Sequence, residues 1–108
     1  MSAFPHHAGR ALERRRPAWP ALARLSDGRG EHTVSIRDVS PSGLSVFADG
    51  HRAGEQLGVV LLARDGSAIG DAIPATVVYV DQGDGAHVIG VAFADPGRAA
   101  DAVRQLAA

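Results

Sequence analysis

The feature that most constrains the fold is a regular spacing of short apolar segments between clusters of turn-forming residues. These clusters are rich in Gly, Pro, Asp and Ser, and they recur from residue 26 to residue 85. Gly adopts turn conformations that other residues avoid, and Asp and Ser bond to nearby backbone, so the clusters predict turns. The segments between them span only four to eight residues, a length typical of strands rather than helices. The predicted strands cover residues 19–25, 33–37, 44–47, 57–62, 73–80 and 87–93.

Six short strands without helical patterns between them predict an all-β protein, a small six-stranded antiparallel β-barrel. In the fifth strand, Pro74 is expected near the start, where the missing N–H is tolerated. Residues 81–85 are predicted to form a turn. A C-terminal helix is predicted over residues 96–107, because Asp95 is a natural N-cap and Pro96 suits the first helical position. Its apolar side is formed by Ala99, Ala102, Val103 and Leu106.

The N-terminal residues 1–16 differ from the rest and are predicted to form a flexible basic arm on a domain of residues 17–108. A short helix over residues 8–15 is compatible with their composition, and Pro17 would end it. Residues 1–29 contain six Arg and two acidic residues, whereas the remainder contains five Arg and ten acidic residues. A basic arm on an acidic body disfavours binding of a nucleic acid polymer, which needs an extended basic face. It suits a compact anionic ligand, or an arm that docks on its own body.

Composition excludes several other classes of protein. The 108 residues are 45% hydrophobic and 21% charged, which is typical of one globular domain. Because the chain has no Cys, disulfides and thiolate metal sites are excluded. No apolar run approaches the roughly 20 residues that span a bilayer, and no signal-peptide pattern is present, so we expect a cytoplasmic protein without membrane insertion.

One segment carries the strongest functional pattern. Residues 37–44 contain the motif Asp-x-Ser-x-x-Gly, formed by Asp38, Ser40 and Gly43 between two predicted strands. An Arg cluster precedes it, and Gly90 and Phe93 form a Gly-x-x-Phe pattern in the last strand. Together these features resemble the PilZ domain, a family of bacterial receptors for the second messenger cyclic di-GMP. The resemblance covers roughly residues 10–107.

The resemblance implies a signal-transduction protein that binds cyclic di-GMP as its ligand, with no cofactor, and that is not an enzyme. It places the ligand on Asp38, Ser40 and Gly43, together with an arginine motif in the arm. Arg binds guanine edges or phosphates through planar pairs of N–H groups, and a carboxylate accepts from the guanine N1–H and amino groups. Gly43 would allow close backbone approach or a positive φ. The implied partner is an effector protein, since 108 residues leave no room for a second domain on this chain.

Which arginines bind stays open, because two alignments of the arm compete. Arg10 and Arg14 match Arg-x-x-x-Arg literally. Family spacing to Asp38 would instead place the second arginine near Arg16, with Arg15 beside it and Leu12 where the first arginine should stand. The alternative function is a degenerate PilZ adaptor that has lost the nucleotide and binds only protein.

Other residues favour structural interpretations. Asp38 and Ser40, taken alone, are also typical turn-capping residues. Trp19 is expected in the core rather than stacked on a base. His6 and His7 lack partner spacing for a metal, and the remaining histidines at 32, 51 and 87 are expected at surface or turn positions. Ser40 and Ser42 lack a nucleophile-elbow motif or a base, so no catalytic residue and no metal ligand is predicted.

Overall fold

The computed structural model describes residues 17, 19–83 and 86–107. Its strands close into a barrel in the order β1-β2-β3-β6-β5-β4, with every neighbouring pair antiparallel. The sequence prediction of a six-stranded antiparallel barrel with a C-terminal helix is therefore confirmed. The elements are β1 (Leu22–Asp27), β2 (Gly30–Ser40), β3 (Gly43–Phe47), β4 (Gln56–Leu62), β5 (Ala68–Gly83), β6 (Ala86–Phe93) and α1 (Pro96–Ala107).

The core fills the barrel because successive side chains of each strand point alternately to its inside and its outside. In β3, for example, Leu44 and Val46 are fully buried, and both point inward. Burial of such side chains is the main favourable contribution to folding. The fully buried aliphatic side chains that the strands contribute include Leu25, Leu44, Val46, Val59, Leu61, Ile89 and Val91.

Helix α1 covers one side of this core, as its sequence predicts. The N–H of Arg98 donates to Asp95 Oδ1 at 3.1 Å, so Asp95 is the N-cap. The predicted apolar side is buried, with Ala99 and Leu106 fully inaccessible. The helix packs against β4 and β5. Among the described residues, no helix is long and apolar enough to cross a membrane.

Several predicted strand ends need correction, and the largest differences concern β5. The strand begins at Ala68 and ends at Gly83, so Pro74 lies well inside it and residues 81–83 are strand rather than turn. Pro74 is tolerated because its carbonyl accepts the N–H of Ala94 at 2.9 Å. The nitrogen and the carbonyl of one strand residue face the same neighbouring strand, so the Pro74 nitrogen also faces β6. Because β6 ends at Phe93, no carbonyl of that strand needs an N–H from Pro74. Sequence patterning also placed the start of β1 too early, at Trp19 instead of Leu22.

Candidate functional site

The motif residues lie where β2 turns into β3. Asp38 and Ser40 are in the last part of β2, Gly43 is the first residue of β3, and Ser40 pairs with Gly43 across the turn. The pairing of Val39 with the fully buried Leu44 places both of these side chains in the core. Because side chains alternate along a strand, Asp38 and its pairing partner Ser45 face the outer surface.

Asp38 and Ser45 begin a row of residues that crosses four strands on the outer surface. Strand register pairs Asp38 with Ser45, Ser45 with Gly90, and Gly90 with Tyr79. We call these four residues the polar row. Neighbours in such a row lie about 5 Å apart, so residues that are distant in the sequence form one continuous surface.

Arg37 lies over this row because β2 contains a bulge at this position. The register shifts between Ile36 and Asp38, which leaves Arg37 as an extra residue without its own partner on β3. Bulges commonly redirect a side chain at a functional surface. The Arg37 Nε donates to Ser45 Oγ at 3.2 Å, and Nη2 donates to the Tyr79 hydroxyl at 3.3 Å. The guanidinium is thereby fixed on the barrel from two different strands.

Charge is concentrated at the same end of the row. Arg37 Nε lies 3.4 Å from Asp38 Oδ2, and the side chains of Arg37 and Asp38 are 37% and 20% exposed. Ser45, in contrast, is fully buried although it faces outward, because Arg37 lies over it. Both charged groups are therefore fixed in place and still accessible to a ligand.

Gly90 has a steric function in the row. A Cβ at this position would overlap Cε2 of Tyr79 and would lie 2.5 Å from its Cζ. The Tyr79 ring thus lies directly against the backbone of β6, and this contact brings the hydroxyl within reach of Arg37. Gly90 belongs to the Gly-x-x-Phe pattern, and here the pattern has a local structural cause.

Gly43 is required for strand packing. A Cβ there would overlap the carbonyl oxygen of Val91 and would lie 3.2 Å from the Cα of Ala92. Its φ is outside the left-handed region. Of the two sequence-based explanations, close backbone approach is therefore the one that applies, and the backbone approached is that of β6.

Ser40 is directed into the turn. Its side chain is almost completely buried, its Oγ lies 2.9 Å from Ser42 Oγ, and it donates to the carbonyl of Gly43 at 3.4 Å. These contacts stabilise the β2–β3 turn, which agrees with the turn-capping interpretation of this residue. Ser40 holds the segment that carries Asp38.

The predicted arginine ligands Arg10, Arg14, Arg15 and Arg16 lie outside the described residues, as do His6 and His7. The segment that leads from these residues into β1 is described from residue 19 onward. The N–H of Ile36 donates to the carbonyl of Ala21 at 2.9 Å, so the segment before β1 runs beside the part of β2 that leads to Asp38. Trp19 is half-buried and packs against the core, as predicted, and the Arg64 guanidinium lies 5.4 Å from its ring centroid.

A second polar cluster lies at the opposite end of the barrel. His51 and Glu55 are joined at 3.2 Å, and Arg29 Nη2 lies 3.2 Å from Asp27 and 3.4 Å from Glu55. Of the two positions expected for His51, surface or turn, it occupies the loop between β3 and β4, and this cluster buries its side chain. Asp27, His51 and Glu55 place possible metal-ligand atoms within 4.8 Å of one another, but both carboxylates already form ion pairs with the Arg29 guanidinium. The cluster therefore fastens the β1–β2 turn to the loop before β4.

The carboxylates of this cluster have altered acidity. Burial raises the pKa of Glu55, but hydrogen bonds from the Arg52 N–H and from His51, with the charges of His51 and Arg29, lower it further than burial raises it. The net result is a Glu55 pKa below its usual value. Hydrogen bonding by the Arg29 N–H similarly lowers the pKa of Asp27. Both groups are thus stabilised in the charged form. An adjacent cavity of about 350 Å³ is lined by Arg29, His32, Phe47 and His51 among others.

Sequence comparison and structural comparison agree on one class of protein, a small β-barrel domain of the PilZ fold. The family model of the PilZ domain matches residues 10–108, and the chain belongs to this family. No curated protein sequence matches the chain.

The solved structures most relevant to the site are bacterial. YcgR from Escherichia coli in complex with c-di-GMP aligns with a TM-score of 0.68 at 11% identity, over 88% of this chain and 41% of that one. The Bacillus subtilis inhibitor of motility, MotI/DgrA, aligns with a TM-score of 0.66 at 17% identity, over 88% of this chain and 46% of that one. The K. pneumonia MrkH–c-di-GMP complex aligns with a TM-score of 0.62 at 19% identity, over 88% of this chain and 48% of that one. The chain thus spans less than half the length of these three proteins, and at such identities the likeness shows the fold.

Proposed function

We propose that this chain is a receptor that binds cyclic di-GMP on the outer surface of the barrel, at the polar row and the β2–β3 turn. The observation that carries the proposal is the position of Asp38. Its carboxylate is partly exposed beside a fixed guanidinium, on the part of β2 along which the basic arm joins the barrel. Family membership and the two structural neighbours solved as c-di-GMP complexes support the same ligand.

The chemistry of the ligand matches these groups. Cyclic di-GMP presents two phosphates and two guanines, and a guanine edge offers the N1–H and amino donors that a carboxylate accepts. Asp38 is assigned to this contact. Ser40 and Gly43 complete the site, since Ser40 fixes the turn from within and Gly43 keeps the turn close to β6.

The arm supplies the remaining binding groups. Arg14 is expected to contribute in either alignment, Arg16 if spacing to the barrel decides, and Arg10 if the literal motif decides, with Arg15 assisting Arg16. Ordering the arm costs conformational entropy, which charge-assisted hydrogen bonds to the phosphates offset. Binding therefore couples to a change of the arm from free to ordered, and this change alters the surface that an effector protein contacts.

The alternative, a PilZ adaptor that binds only protein, is favoured by one observation. Leu22 and Phe47 both pair with Ser35 and are 40% and 43% exposed, which leaves two large apolar side chains on the outer surface near the polar row. Such residues are common where proteins bind each other. The same surface serves an effector in the receptor hypothesis, so ligand binding is the property that separates the two.

Isothermal titration of the full chain with cyclic di-GMP tests the proposal, with cyclic di-AMP as the control ligand. We expect saturable binding of cyclic di-GMP by the wild type. Asp38→Ala should weaken it by about 1–3 kcal/mol, the value of one bidentate base contact, and should leave the unfolding temperature of the barrel unchanged. A folded wild type that binds neither ligand would overturn the receptor function in favour of the adaptor. Wild-type affinity in Asp38→Ala would make Asp38 a turn residue only.

A further inference from the structure

We propose that Arg37 is a specificity-determining residue that binds the O6/N7 edge of a guanine. The proposal rests on the function proposed above and adds a contact from the barrel itself, separate from the arginines of the arm. It is carried by the way the barrel fixes this guanidinium. Arg37 is the extra residue of the β2 bulge, and hydrogen bonds from two other strands hold its side chain on the outer surface.

The direction of these hydrogen bonds determines which N–H groups of the Arg37 guanidinium remain available to a ligand. The Nε and one N–H of Nη2 form the side edge of the guanidinium, and this edge donates to Ser45 and Tyr79. The end edge consists of Nη1 and the second N–H of Nη2. Within the described residues, the end edge makes no hydrogen bond. Arg37 therefore presents two parallel donors whose direction is already fixed, so that little entropy is lost when a ligand accepts them.

Two parallel donors match the two acceptors of a guanine, O6 and N7. Asp38 presents the opposite chemistry beside them, since its Oδ2 lies 3.4 Å from Arg37 Nε. Guanine has acceptors at O6 and N7 and donors at N1 and N2, and thus complements an adjacent arginine and carboxylate. Adenine carries a donor at position 6 and an acceptor at N1, so both contacts would be lost or repulsive. The Arg37–Asp38 pair therefore selects guanine over adenine.

A phosphate of the ligand also matches two parallel donors, and the experiment separates these two uses of Arg37. Wild type and Arg37→Ala are each titrated with cyclic di-GMP and with its 7-deazaguanine analogue, which lacks N7 and keeps both phosphates. For the wild type, we expect the analogue to bind about tenfold more weakly, equivalent to about 1.4 kcal/mol. Arg37→Ala should weaken cyclic di-GMP by about 10- to 100-fold, the range of a bidentate base contact, and should bind both ligands with nearly equal affinity.

Two further variants serve as controls. Arg104→Ala removes one positive charge from an exposed ion pair with Asp101 on α1 and should leave both affinities unchanged. Arg37→Lys keeps the charge but loses the planar pair of donors, and should behave like Arg37→Ala. Thermal unfolding of each variant verifies that the barrel is folded before titration.

The outcomes distinguish failure of the Arg37–guanine contact from failure of the receptor function itself. If the wild type binds cyclic di-GMP and Arg37→Ala weakens both ligands by the same factor, Arg37 binds phosphate and the guanine contact is refuted. If Arg37→Ala binds like the wild type, Arg37 has no contact with the ligand. If the folded wild type binds no cyclic di-GMP, the receptor function itself fails, and with it the role of Arg37.

Discussion

The substitution Gly43→Ala separates the structural contribution of the motif glycine from any contact with a ligand. The added Cβ would overlap the Val91 carbonyl oxygen and would lie 3.2 Å from the Cα of Ala92. Both atoms belong to the backbone of β6, so no side-chain rotation relieves the overlap. Strands β3 and β6 must separate locally for the methyl group to fit.

The expected cost follows from these contacts. Overpacking in a well-packed region costs about 1–3 kcal/mol, and a weakened strand hydrogen bond adds about 1 kcal/mol. We therefore expect Gly43→Ala to lower the free energy of unfolding by about 3 kcal/mol, a large part of the roughly 5–15 kcal/mol typical of a domain. With roughly 4–8 °C per kcal/mol for a domain of about this size, the unfolding temperature should fall by about 12 °C or more.

Gly28→Ala is the matched control. A Cβ added at Gly28 would have no neighbouring atom within 4 Å, and the φ of Gly28 is outside the left-handed region. The same chemical change should therefore alter stability by less than about 1 kcal/mol. Urea and thermal unfolding of both variants can be followed by the fluorescence of the single Trp, Trp19, which is half-buried against the core. Equal stability of the two variants would refute the steric explanation of Gly43.

Three further predictions concern the arm and the second cluster. Affinity for cyclic di-GMP should decrease as salt rises, because exposed charges are screened beyond about 10 Å at 0.1 M; an affinity independent of salt would mean that stacking, not charge, dominates. Single alanine substitutions in the arm, titrated with the ligand, should show the largest losses at Arg14 and either Arg10 or Arg16; equal small losses at all of the four arginines 10, 14, 15 and 16 would contradict both alignments. Because the folded-state pKa of Glu55 is lowered, its stabilising contribution is present above its ordinary value of 4.5 and is lost as the pH falls through the folded-state pKa. Denaturation at pH 7 and pH 3 should therefore show a smaller decrease in stability for Glu55→Gln than for the wild type, and an equal decrease would exclude this contribution.

The sequence was sufficient to predict the six strands, because alternation and turn residues are local properties. The strand ends were predicted less well. Gly30, Glu31 and His32 are polar or small, yet they belong to β2 because their backbone pairs with β1. Alternation detects side-chain burial and gives no information on backbone pairing where both faces are exposed.

The residues of the candidate site also differ in whether the sequence alone can predict them. Asp38, Ser40 and Gly43 lie within six residues of one another, so a sequence motif is enough to find them. Tyr79 is 42 residues from Arg37, and only the strand register brings the two together. The burial of His51 in its loop was missed for a similar reason, because Arg29 and Asp27, which complete its cluster, are on a distant turn.

The strand order has a consequence for how the domain opens. β1–β3 and β4–β6 are two three-stranded meanders, and the barrel closes only where β3 meets β6 and where β1 meets β4. These two junctions join distant parts of the chain, so they carry most of the loop-closure entropy and form slowly relative to hairpins. The hydrogen bond from Arg37 to Tyr79 spans the β3–β6 junction, with one residue on each meander. A molecule bound at this junction would therefore hold the two halves of the barrel together. It would slow unfolding and so lengthen the lifetime of the folded state.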